Sequence, residues 1–199
     1  IERRNTDYKT NDQIVNQFAL KDPNRALTFR SKCCYLNIHA QYHKINGNWE
    51  QAYDFRHQLF ELIEEQFGSS YSKEMINRYF VSLNNLIPIC IKLKKWEEAE
   101  IFISKMESLE ERSHESYFSE ELRVRILLQA SLGRLALYTR LGRRFEGLQL
   151  IDSLQEHKEV IALYHRKYVV LHLYFNIAYF LFTIEQHSPA IRWLNRVLN

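Results

Sequence analysis

The chain has 199 residues, 46% hydrophobic and 14% aromatic, with only 5 Gly and 3 Pro. Ample core with little turn material favours long helices on short connections over a strand-rich fold. Its 27 basic and 24 acidic residues leave a formal charge of +3, too balanced for a nucleic-acid surface.

Residues 1–22 are mostly polar with one apolar cluster at Ile14, Val15, Phe18 and Leu20, so a partly ordered segment with a short helix near 10–20 is expected. Asp22-Pro23 reads as a cap followed by a first-turn proline, opening a long helix to Asn46 that Gly47 stops. Asn48 and Gln51 have capping-box spacing, and Ala52, Phe55, Leu59, Ile63 and Phe67 give the next helix one apolar face as far as Gly68. The pattern restarts after Ser72 with Ile76, Tyr79, Phe80, Leu83, Leu86, Ile87 and Ile91. It breaks at Lys94-Lys95 and resumes with Trp96, Ala99, Ile103 and Met106.

Beyond the polar stretch 110–116, Leu122–Leu141 reads as a long helix ended by Gly142, with Phe145–Leu154 as its partner. Residues 159–184 read as the last long helix, and Ser188-Pro189 opens a final short one. Short links force sequential helices to pack antiparallel. The expectation is one all-α domain over residues 23–199, a row of hairpins at about 23–68, 70–111, 117–157 and 159–199.

A ring three residues before a small or aliphatic residue recurs at Trp49/Ala52, Trp96/Ala99, Phe145/Leu148 and His187/Ala190, with the rings 47, 49 and 42 residues apart. Self-similarity at such a period marks a stacked repeat array. Its fullest copy is Tyr174, Ile177, Ala178, Leu181, His187, Ala190, Leu194 and Val197. A first copy runs Leu36, Ala40, His43, Trp49, Ala52 and Leu59, and a third runs Leu132, Leu135, Ala136, Phe145 and Leu148.

On these residues the stretch 23–199 resembles the tetratricopeptide-repeat family, with repeats longer than the family's roughly 34 residues. The closing proline is missing, and Arg56, Ile87 and Asp152 stand where the motif wants a small or a large apolar residue. The resemblance implies an α-solenoid of stacked antiparallel hairpins, a superhelix whose first helices line a concave face. It implies a protein-protein interaction or peptide-binding scaffold, and it nominates Asn37, Gln41, Lys44, Asn84, Lys92, Arg134, Arg140, His172 and Tyr179 as binding residues. The Lys-and-Asn set of the family's chaperone-tail-binding members is not reproduced. An alternative expectation is a ligand- or peptide-sensing regulatory segment of a larger protein.

Other groups invite sharper chemistry. His39 and His43 have the i, i+4 spacing of metal-binding imidazoles, but with no third ligand evident, a place in the hairpin interface is expected. Cys33 and Cys34 diverge on a helix, and with Cys90 they make an odd count, so small buried thiols in a reducing, cytoplasmic compartment are expected rather than disulfides. Tyr168 to Ile184 is nearly all apolar but short for a bilayer and interrupted by His172 and Asn176, so a helix buried on several sides is expected instead.

Glu97 to Glu121 is rich in glutamate, whereas Leu122 to Phe145 carries Arg123, Arg125, Arg134, Arg140, Arg143 and Arg144 with no acid. Neutralisation between neighbouring helices or a solvated face is the plainer account, and an acidic-peptide dock the sharper one. With no phosphate loop, nucleophile elbow or recurrent carboxylate pair, neither catalysis nor a cofactor is expected. A chain starting at Ile1 and ending in an apolar helix reads as part of a longer solenoid whose exposed end self-associates.

Overall fold

The computed structural model describes Gln13 and residues 22–69, 72–109, 118–165 and 167–198. The helix expected near 10–20 and the polar stretch 110–116 lie, Gln13 apart, outside the described residues. These form α-helices and no strand: α1 (Phe29–Ile45), α2 (Trp49–Ser69), α3 (Lys73–Lys92), α4 (Trp96–Glu107), α5 (Glu120–Leu141), α6 (Arg144–Glu156), α7 (Lys158–Leu163), α8 (Lys167–Thr183) and α9 (His187–Leu198).

Local chemistry explains where the helices differ from expectation. Pro23–Arg25 is only a 3-10 turn, and α1 starts six residues after Pro23 because Thr28 and Ser31 form a reciprocal capping box. Gly68 lies inside α2 rather than ending it. The single helix expected over 159–184 is two, α7 and α8. At the break Tyr164 is extended and buried in the core, so its side chain is gained at the expense of helical continuity.

The chain divides into two compact units, Ile1–Lys94 and Lys95–Asn199, and the boundary falls inside the expected pair 70–111. In the first, α2 packs against both α1 and α3. Ala52, Phe67, Ile76, Tyr79 and Leu83 are fully buried there, with the Phe67 and Tyr79 rings stacked 4.5 Å apart. In the second, α5 packs against α4, α6 and α8, while α8 also packs against α9. Leu128, Leu135, Ile151, Leu173, Ile177 and Phe180 form its core.

One turn occurs four times. Gly47, Lys94, Gly142 and Glu185 have φ of 77°, 61°, 66° and 66°, and each stands two residues before the start of α2, α4, α6 or α9. In three of these turns the next N–H reaches back to a carbonyl five residues earlier: Asn48 to His43, Arg143 to Tyr138 and Gln186 to Leu181. This is the Schellman closure, in which one left-handed residue satisfies the last carbonyls of a helix.

The fourth residue of each following helix is small and buried: Ala52, Ala99, Gly147 and Ala190. This corrects the third copy of the sequence motif. Phe145 and Leu148 are exposed, at 69% and 38%, and Gly147 takes the small position. A Cβ on Gly147 would lie 2.0 Å from the Phe180 ring, so the seating of that buried ring against α6 depends on a position without a side chain.

Candidate functional site

In the first unit a pocket of about 270 Å³ is bounded by α1, α2 and α3. At its wall stands Arg56, on the α2 face that also buries Ala52, Leu59 and Ile63, and only 6% exposed. Its Nη1 donates to Asn37 Oδ1 at 2.5 Å, and its Nη2 reaches Gln41 Oε1 at 3.4 Å. Both acceptors are neutral amides one helical turn apart on α1. Burial pulls the guanidinium's pKa below its ordinary value, with no carboxylate raising it.

The same pocket is lined by Arg78, Asn85, Cys33 and the aliphatic side chains of Leu59, Ile63 and Val81. Arg78 is tied on one side to Glu74 Oε1, at 3.1 Å from Nε and 2.8 Å from Nη2. Burial raises the Cys33 thiol pKa, against a smaller downward pull from Arg78. Among the described residues no disulfide forms: Cys33 and Cys90 are buried and Cys34 is exposed.

Arg134 of the second unit is surrounded differently. Its Nε and Nη2 bond Glu107 Oε1 and Oε2 at 2.9 and 2.6 Å, Nη2 also reaches Ser104 Oγ at 2.9 Å, and Nη1 lies 3.4 Å from Glu100. Arg143 adds a second contact to Glu100 at 3.0 Å. The hydrogen bonds to Glu107 hold the Arg134 guanidinium above its ordinary pKa. Neutralisation of α4 glutamates by α5 arginine is therefore what the structure contains at Arg134.

His39 and His43 both stack on Phe55 of α2, with centroids 5.0 and 5.4 Å away, which places them in the α1–α2 interface. His43 Nδ1 is buried with no hydrogen-bond partner among the described residues, and burial, followed by the neighbouring His39, lowers its pKa.

Helix α8 departs from the expectation of burial on several sides. Val169, Val170, Leu173, Ile177 and Leu181 are buried, but Tyr168, Leu171, Phe175, Tyr179 and Phe182 form an exposed stripe at spacings of three and four. With His187, Ile191 and Leu194 of α9, the Phe175, Tyr179 and Phe182 side chains of this stripe border an apolar cleft of about 310 Å³. Both sides of the helix are hydrophobic, so hydropathy alone could not separate them. Among the described residues no helix is long and apolar enough to cross a membrane.

The nominated residues fall into local sets. Asn37, Gln41 and Lys44 are exposed on one face of α1, and Arg56 bridges the first two. On α3, Asn84 is half-buried and Lys92 exposed, with the Lys92 ammonium 5.7 Å from the Trp49 ring. Arg134 is half-buried in its ion pairs, whereas Arg140, His172 and Tyr179 are exposed. Arg56 itself was missed as a site residue. The available signal was its charge at an apolar motif position. Compared with known protein families, curated proteins and solved structures, the chain gives no significant match.

Proposed function

We propose that the chain is a tetratricopeptide-like helical-repeat scaffold that binds another protein or a peptide through the first helices of its hairpins, α1 and α3 in the first unit or α5 and α8 in the second. The fourfold recurrence of one turn, a left-handed residue two positions before a helix whose fourth residue is small and buried, carries this reading. A repeated backbone device repeated in register is what a duplicated hairpin leaves behind when side chains diverge. The direct packing of α5 on α8, past the intervening α6 and α7, supports it further, because stacked repeats bring successive first helices together. Repeats of this kind act by presenting surface rather than by chemistry at one centre.

The test is selection of peptide ligands against the purified full chain, followed by amide chemical-shift mapping of the bound peptide's footprint. The footprint expected includes Asn37, Gln41 and Lys44 on α1 or His172 and Tyr179 on α8. A footprint confined to α2, α4, α6 and α9 would overturn the first-helix assignment.

A further inference from the structure

We infer that the pocket around Arg56 is a binding site for a carboxylate on a short aliphatic stem, received by the Arg56 guanidinium with Asn85 and Arg78 beside it and the stem against Leu59, Ile63 and Val81. The assignment stands independently of the scaffold reading, since it rests on one pocket within the first unit.

Buried guanidinium groups are costly unless an anion or a full set of hydrogen bonds compensates them. Arg56 has five N–H groups, and Asn37 and Gln41 take two; the remaining three have no protein partner among the described residues. The Asn85 side-chain amide, half-buried on the same wall, likewise has none. Two donors on a planar fork with no protein acceptor match the two oxygens of a carboxylate. Arg56 and Arg78 carry two positive charges and Glu74 cancels one. A monoanion therefore balances the pocket, whereas a phosphate dianion would overfill it. The volume, about 270 Å³, lies at or just below the roughly 300–1,000 Å³ of small-molecule sites. It admits one residue-sized group, and the aliphatic wall selects an apolar stem.

The source of the carboxylate is either a peptide's C-terminus or an acidic side chain, and the probes separate them. Using the full chain, the Arg56 side-chain Nε–H signal is followed by NMR while adding sodium 4-methylpentanoate, 4-methylpentanamide, N-acetyl-leucine, N-acetyl-glutamic acid α-amide or inorganic phosphate at matched ionic strength. 4-Methylpentanoate is expected to shift that signal saturably and to raise Tm, whereas the amide does neither. A stronger response to N-acetyl-leucine assigns the site to C-termini, and a stronger response to the glutamic acid amide assigns it to side chains.

Arg56→Met, which lacks the reporting N–H, is expected to lose the rise in Tm with 4-methylpentanoate while melting no lower than the unliganded wild type, because it removes an uncompensated buried charge. Should that variant misfold, Arg56→Lys keeps the charge without the planar fork and should bind about tenfold more weakly. Equal responses to acid and amide, no shift with either carboxylate class, or a response to phosphate alone would overturn the inference.

Discussion

Arg56 and Arg134 are both arginines set against a neighbouring helix, yet the two units compensate them in different ways. Around Arg134 the adjacent helix supplies two carboxylates and a hydroxyl, and the pKa rises. Around Arg56 it supplies only two amide oxygens, and the pKa falls. Both arrangements fix helix against helix. Only the second leaves charge and donors unspent, so the arginine that looks more structural by burial is the one suited to a ligand. A buried cation is informative when its partners fail to balance it.

The comparison breaks most readily at Arg134. Arg134→Met removes hydrogen bonds to charged partners from a side chain only 13% exposed and should lower stability by about 1–2 kcal/mol, read as a fall in urea midpoint. The loss should shrink in high salt, because Glu107 and Glu100 are open to solvent. If peptides selected against the chain still bind this variant normally, the acidic-docking account of Arg134 is retired and neutralisation is its whole role.

Much of the fold is legible in the sequence, and the gaps have physical causes. Gly142 announces the end of α5 because a left-handed residue there is cheapest as glycine, whereas at Lys94 the apolar pattern shows a break but not its conformation, and Glu185 adopts the same conformation with nothing in the local sequence to signal it. The third motif copy was set one residue late because Phe145 looks like the ring that Trp49 and Trp96 provide. What the packing needs is the absence of a side chain at Gly147. Asn37 and Gln41 were legible as exposed polar groups on a first helix, but their convergence on Arg56 depends on the α1–α2 register. Periodicity also could not tell the aliphatic side of α8 from its aromatic side, although only one is buried.

Acid should sharpen the contrast from the first unit's side. The His43 pKa is lowered in the fold, so between the unfolded value near 6.5 and the folded one the unfolded chain holds a proton that the native chain does not. Stability from this group is complete above about pH 6.5 and is lost as pH falls through the window, by at most about 1.4 kcal/mol per pH unit. His43→Phe keeps a ring to stack on Phe55 and should flatten the difference in Tm between pH 7.5 and 5.5. An unchanged difference would remove His43 from the account of acid sensitivity.

The smallest effects concern a feature the two units share. A Cβ at Gly47 or Gly142 meets nothing within 4 Å, so Ala at either position is penalised by the left-handed backbone alone, by about 1 kcal/mol. Lys94 and Glu185 already bear that penalty, and Lys94→Gly or Glu185→Gly should recover about 0.5–1 kcal/mol each, or roughly 1–4 °C in Tm for a chain of this size. Because the turn is one device used four times, the two gains should match and so should the two losses, unlike the opposed responses expected of Arg56 and Arg134. Thermal melts of the four single variants make the comparison directly. A gain at Glu185 with a loss at Lys94 would mean that the shared φ hides different turns, and would remove the observation on which the repeat reading stands.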